Sequence, residues 1–357
     1  MKRFTYLFSL TLTVFALAAV VIIGCEGPAG ATGAAGADGK DGIDGVDANA
    51  TCTQCHSQDT DILAKSLEAD GSGHMLGGHF RYGDRTDCSI CHTHEGFLDI
   101  MASGAMEASK EYEDATPPNC RTCHNVHKDY DKATDFDIRF IDPVTLWDND
   151  VVVDLGPDNN ICVSCHQPRA MEPAAPAVGG ADVVFTDDSW GPHHGPQSAI
   201  VWGTAAYETV GDESYPAGGS TSHANSAGCT GCHMVEPGRG DQAGGHTLSM
   251  TYESRGTARE FTASCENCHG GDADFDYMNI QTDVTALWDS LDVILHAKNI
   301  LVDGDINAST AAPLTLTADE AGAVMNLLYV DEDGSTGVHN PRYVKALLKN
   351  SIQAMSN

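Results

Sequence analysis

The chain has 357 residues, with 51 Asp and Glu against 19 Lys and Arg, a formal net charge of −32. A surface this acidic repels nucleic acid, which is excluded as a partner. It favours solubility and attracts basic redox proteins or metal cations, and it is equally what adaptation to salty surroundings produces.

The N-terminus reads as an export signal. Lys2 and Arg3 precede an apolar stretch from Phe4 to Ile23, followed by Gly24 and Cys25. Small and aliphatic residues before a cysteine form a lipobox, so residues 1–24 are a lipoprotein signal peptide and Cys25 is the lipidation site. An uncleaved membrane helix is the competing reading of the same stretch. Glu26 rather than Asp after the lipidated cysteine favours the outer membrane, with the protein facing the periplasm or the cell surface. The lipid would be the membrane anchor.

Residues 27–47 carry glycine at every third position, the collagen pattern. Seven triplets with one proline are too few to hold three chains alone, so residues 25–50 are expected to act as a lipidated, extended tether. A short stalk that makes the protein a homo-oligomer is the alternative.

From Cys52 onward the string Cys-x-x-Cys-His occurs six times: Cys52/Cys55/His56, Cys88/Cys91/His92, Cys120/Cys123/His124, Cys162/Cys165/His166, Cys229/Cys232/His233 and Cys265/Cys268/His269. This is the attachment signature of c-type haem: both thiols bond the porphyrin and the histidine ligates its iron. Zinc knuckles place their histidines several residues from the cysteines, and a redox dithiol needs one pair. Six covalently attached haems c therefore occupy twelve of the 13 cysteines, and the thirteenth is Cys25. Motif starts lie 36, 32, 42, 67 and 36 residues apart, too little chain to build an apolar core around each haem. The haems themselves should be the core of a domain spanning 51–275, wrapped by short helices and long loops with little β structure.

Whether such a protein conducts or catalyses depends on the second axial ligand of each iron. Ten histidines remain. His127, three residues after His124, is too close to face it across one haem and suits a neighbouring haem. His74 and His79 lie in a glycine-rich segment, and His193 and His194 are adjacent within WGPHHGPQ. His223, His246 and His339 stand before or between motifs or at a helix start. His94 reads as a donor supporting a ligand, and His296, off the apolar face of its helix, as a surface residue.

The last segment, 276–357, reads as helical and packs on the haems. Val284, Leu287, Trp288, Leu291 and Leu295 share one face of a helix from Thr282 to about Val302. A second helix opens at the capping box Thr317-x-x-Glu320. A third has Asn340 as N-cap and Pro341 in its first turn. Asp303-x-Asp305-x-Asn307 and Asp331-x-Asp333-Gly334 resemble pieces of calcium loops, but neither has Glu at the twelfth position; solvated turns are expected.

These strings together resemble the multihaem c-type cytochromes of metal-reducing and related anaerobic bacteria. More narrowly, the chain is similar to an exported six-haem family, through SGH (Ser72–His74) before the CxxCHTxEGF pattern at Cys88–Phe97, CRTCHNVH, DLGPDNNICVSCHQPR, WGPHHGPQ, CTGCHM, GGHTLSM and GVHNPRYVKALL. The likeness covers most of the chain after Cys52 and leaves out the tether. It implies a multihaem cytochrome c fold, mainly α with C-terminal helices. It also implies an electron carrier working with redox partner proteins, other cytochromes among them. Carried over by position, it favours His74, His127, one of His193 and His194, His223, His246 and His339 as distal ligands. Within the adjacent pair His194 is preferred, and His79, His193 and His94 are the weaker alternatives. The reading is a lipid-anchored hexahaem electron-transfer protein without catalytic residues, moving electrons from periplasm or outer surface to an extracellular acceptor. The alternatives are a nitrite- or hydroxylamine-type reductase with one open haem, and a subunit of a cytochrome filament.

Overall fold

The computed structural model describes residues 56, 58, 60–70, 72–76, 79–127, 130–131, 134–236 and 242–356. The signal, the lipobox Cys25, the tether, and Cys52 and Cys55 lie outside the described residues, as does the side chain of His79.

Helices dominate. In chain order they are α1 (Thr60–Asp70), α2 (Gly73–Leu76), α3 (Ser89–His92), α4 (His94–Ser103), α5 (Cys120–Cys123), α6 (Asn160–Val163), α7 (Gln197–Trp202), α8 (Thr230–His233), α9 (Ala263–His269), α10 (Ile280–Ala297), α11 (Ala318–Asp333) and α12 (Pro341–Met355). Eight short strands form four two-stranded antiparallel sheets among the described residues: β1 (Val144–Thr145) with β2 (Val152–Val153), β3 (Val183–Phe185) with β8 (Leu314–Leu316), β4 (Thr251–Ser254) with β5 (Thr257–Glu260), and β6 (Leu301–Val302) with β7 (Asp305–Ile306). No described helix is long and apolar enough to cross a membrane.

The three C-terminal helices follow their sequence signals closely. Thr317 caps α11 in a reciprocal box with Glu320, and the Asn340 side chain accepts from the Tyr343 N–H at the start of α12. Helix α10 stops at Ala297, short of the expected Val302, because Leu301 and Val302 turn into a hairpin. Its turn is Asp303-Gly304 with φ of 54° and 93°, the doubly left-handed geometry that suits the twist of a hairpin.

The largest apolar core lies in this segment. Val284, Leu291 and Leu295 of α10, Leu327 and Val330 of α11, and Val344, Leu347 and Leu348 of α12 pack together with Phe185, Ile200 and Tyr207 from the preceding part of the chain. A leucine buried as completely as Leu291, Leu295, Leu347 or Leu348 contributes about 1.5–3 kcal/mol. Among the described residues, the motif-bearing segment adds smaller apolar groups, around Leu146, Val153 and Val163 and around Ile90 and Ile100.

Buried asparagines join the two parts. The Asn326 amide accepts from the Tyr207 N–H at 2.9 Å and donates to the Tyr207 carbonyl at 2.7 Å and the Ser351 hydroxyl at 2.9 Å. Asn340 donates to the carbonyls of Ile200 at 3.1 Å and Val201 at 3.3 Å in the last turn of α7. Asn350 accepts from the Glu213 N–H at 3.0 Å and donates to the Glu213 carbonyl at 2.9 Å. All of these bonds but the one to Ser351 satisfy backbone groups, and those of Tyr207, Ile200 and Val201 are ones the core withholds from water. The Asn340 bonds also fix the residue beside it, His339. The turn leading there needs Gly337, whose φ is +91° and whose added Cβ would stand 2.7 Å from Val284.

Candidate haem sites

A cysteine at i, another at i+3 and a histidine at i+4 share one face when the five residues form a helical turn. The described motifs do this. The His92 N–H bonds the Cys88 carbonyl at 3.2 Å, and His124, His166 and His233 bond those of Cys120, Cys162 and Cys229 at 2.9 Å each. The last motif lies wholly within α9. The described cysteines form no disulfide, and no three His, Cys, Asp or Glu side chains among the described residues converge on a metal position.

The histidines meet in twos instead. Ring centres are 5.9 Å apart for His56 and His127 and for His74 and His166. They are 6.2 Å apart for His124 and His246 and for His223 and His269. For His92 with His193 and His233 with His339 the separation is 6.3 Å. Each of these six pairs joins one motif histidine to one from elsewhere in the chain, and no histidine belongs to two of them; His193 also touches its neighbour His194, with ring centres 4.6 Å apart.

That spacing has a physical meaning. An imidazole bound to a metal at about 2 Å has its ring centre roughly 3 Å from the metal, so two on opposite sides stand roughly 6 Å apart. Both ring planes then contain the shared nitrogen–metal–nitrogen axis, and the angle between them is free. Here the separations span 5.9 to 6.3 Å while the interplanar angles run from 23° to 90°. Direct aromatic packing fixes angle and offset together; a common axis fixes distance alone. The residues present fit six bis-histidine haems.

The far side of the rings agrees. Nδ1 of His124 lies 2.6 Å from the Phe136 carbonyl, that of His233 2.9 Å from the Leu248 carbonyl, and that of His223 2.8 Å from the Val338 carbonyl. His166 Nδ1 meets the Gln197 side-chain oxygen at 3.2 Å, and His339 Nδ1 meets the Asp333 carboxylate at 2.6 Å. An acceptor at Nδ1 holds the proton there and leaves the Nε2 lone pair for a metal. His127, His193 and Leu248 all take left-handed φ, at 56°, 61° and 58°, conformations that persist where the surroundings demand them.

Burial keeps several of these rings neutral, the form that ligates. His74 is lowered to about 4, by burial first and then by the imidazoles of His166 and His233. Part of its surface remains open to solvent, but the protein atoms crowded around the ring govern its charge. Burial also lowers His124, His166, His233 and His246. His339 moves the other way: burial opposes its charge, but the Asp333 carboxylate outweighs that and raises it.

The remaining histidines fall elsewhere. His194 Nδ1 is 2.5 Å from Glu332, and its side chain is 73% exposed. Within the adjacent pair it is therefore His193 that faces a motif histidine, contrary to the order of preference drawn from the sequence. Both residues are exposed, with ring centres 4.6 Å apart; the left-handed His193 points its ring at His92 while that of His194 meets Glu332. His94 is buried and bonds the Thr122 hydroxyl at 2.8 Å, tying α4 to α5. His296 bonds the Asp292 carbonyl one turn back on its own helix at 3.0 Å. The expected solvated turn at Asp331–Gly334 is corrected at Asp333, which is 3% exposed and bound to His339. Gln197 and Asp333, supporting residues for His166 and His339, were not picked out as such from the sequence; Gln197 stands in the quoted WGPHHGPQ string.

The motifs also adjoin one another. The Cys91 thiol reaches the Cys165 carbonyl at 3.8 Å. Cys165 is near Cys123 as well, Cys162 lies beside Cys229, and Cys232 lies near Cys265 and Cys268.

No known protein family matches the chain, and no curated protein does. A solved structure does, that of the outer cell wall cytochrome OcwA. The fold is similar to that of a cytochrome. The two share 21% identity at a TM-score of 0.50, over 82% of this chain and 50% of that one. The chain thus spans about half the length of that cytochrome, and the likeness is one of fold.

Proposed function

We propose that the chain is a hexahaem c-type cytochrome that carries electrons, exported and held at the outer membrane by a lipid on Cys25. The observation that carries this reading is the set of six histidine pairs at ring separations of 5.9 to 6.3 Å. Haem iron supplies one-electron exchange between its ferric and ferrous states. The chain supplies what governs that exchange. The twelve motif cysteines hold the porphyrins, and His56, His92, His124, His166, His233 and His269 ligate from one side. His127, His193, His246, His74, His339 and His223 ligate those same irons, in that order, from the other. Two protein ligands per iron leave no position for a small molecule, which favours conduction over nitrite or hydroxylamine reduction.

The thiol contacts support close succession of the sites. The fourth motif adjoins the second, third and fifth, and the fifth adjoins the sixth. His127, three residues beyond the third motif, faces the histidine of the first. The acidic surface suits a basic redox partner, other cytochromes included, and the anchor suits an acceptor outside the cell.

Intact-mass measurement of the exported protein tests the cofactor set: six haem masses and a diacylglyceryl group on Cys25 are expected. A chain carrying fewer haems, or a free N-terminal cysteine after signal cleavage, would refute the corresponding part.

A further inference from the structure

Helix α11 ends in Asp331-Glu332-Asp333, closed by Gly334 at a left-handed φ of 69°. The side chain of Asp333 is 1% exposed. One of its oxygens lies 2.6 Å from His339 Nδ1, and the other accepts the Ser335 hydroxyl. That hydroxyl in turn accepts the His339 N–H at 3.2 Å. No lysine or arginine among the described residues forms an ion pair with Asp333, whose ion-pair partner is His339.

The molecule contains its own controls. The acceptors at Nδ1 of His124, His233 and His223 are peptide carbonyls, and that of His166 is an amide. Glu68 approaches His246 Nδ1 only to 3.8 Å, too far for a hydrogen bond. Only His339, among these ring nitrogens, is bonded to a buried carboxylate. A charge-assisted bond of that kind is roughly twice as strong as a neutral one. It pulls the Nδ1 proton towards oxygen and makes Nε2 a stronger electron donor.

We propose that Asp333 is a positioning residue that sets the potential of the fifth haem: through His339 it stabilises the ferric state and lowers that haem relative to those whose ligands face neutral acceptors. The proposal rests on the bis-histidine reading above. It gives the acidic end of α11 a specific role. Glu332, next in the chain, bonds His194, while its carbonyl accepts from Gln197, the residue that holds His166. One helix terminus, itself the negative end of a dipole, thus reaches the supports of the fourth and fifth sites. Because the Cys229 and Cys232 thiols adjoin the fourth and sixth motifs, a lowered potential there is a step between two parts of the array.

Spectropotentiometric titration of the purified holoprotein and its Asp333→Asn variant tests this, with EPR of the oxidised forms in parallel. Expected is a tenfold or larger shift in the ferric–ferrous equilibrium of one haem in six, upward by about 59 mV for one electron, with all haems still low-spin. Asp333→Glu should recover most of it. Ser335→Ala, which removes a donor from the carboxylate and leaves more of its negative charge facing His339, should move the same component downward. Superimposable curves for wild type, Asp333→Asn and Ser335→Ala would overturn the proposal. If Asp333→Asn turns a haem high-spin, Ser335→Ala alone decides, and an unchanged curve overturns it. His339→Ala separates the two claims: six low-spin haems in that variant would refute the ligand assignment itself.

Discussion

The imidazole of His193 faces that of His92 across 6.3 Å, while its neighbour His194 turns away to Glu332. Two adjacent histidines, both exposed, thus have different partners, and a matched pair of substitutions reads them separately. His193→Ala should leave one haem in six with a single protein ligand, seen as a high-spin EPR signal and as new binding of cyanide or carbon monoxide. His194→Ala should leave all haems low-spin, since it removes a solvent-exposed contact. The reverse pattern would return the assignment to His194.

Asn326 is completely buried and satisfies both backbone groups of Tyr207. Asn326→Ala should leave the buried Tyr207 N–H unpaired, at about 1–3 kcal/mol, while the Tyr207 carbonyl keeps the Thr209 N–H at 2.8 Å. Thermal unfolding should show a fall in Tm of several degrees. The haem spectrum should be unchanged, because the asparagine ties Tyr207 to α11 rather than to a ligand. An unaltered Tm would mean that water replaces the lost partner.

Gly322 tests the same packing from the other side. A Cβ there would come within 2.1 Å of the Tyr207 ring, so Gly322→Ala overpacks a core with no room to shift. A loss of about 1–3 kcal/mol is expected, read as a lower denaturation midpoint in guanidinium. Were Ala tolerated without cost, Tyr207 would have to be mobile.

Asp148, beneath the Tyr329 hydroxyl at 3.2 Å, is raised above the usual carboxylate range by burial, although the Tyr329 bond opposes the shift. A carboxyl raised on folding favours its protonated form in the native state. Its contribution is therefore complete below the unfolded pKa and is lost as pH rises through the folded value. Asp148→Asn should flatten stability against pH in the mildly acidic range and make the protein more stable at neutral pH. A variant equally or less stable at pH 7 would contradict this.

Much of the architecture is legible in the sequence wherever the signal is local. The Thr317-x-x-Glu320 box and the Asn340-Pro341 pair mark their helix starts to the residue. The CxxCH strings fix the motif turns, because the chemistry itself sets their spacing. What escapes is non-local or very short. Strand β3 pairs with β8 across more than a hundred residues, Val183 opposite Leu316, and neither strand has length enough to show alternation. The Arg255-Gly256 hairpin exposes most of its side chains, so no apolar period announces it. Distal ligands are harder still, since nothing in the sequence states which histidine faces which motif. His193 differs from His194 by one left-handed residue, and Asp333 looks like a turn acid until His339 is seen against it.

The central claim is that every iron in this protein has two histidine ligands, and EPR of the fully oxidised, exported protein tests it most directly. The account predicts low-spin ferric signals that integrate to six haems per chain, with no reaction towards cyanide. A high-spin signal integrating to one haem or more would contradict it.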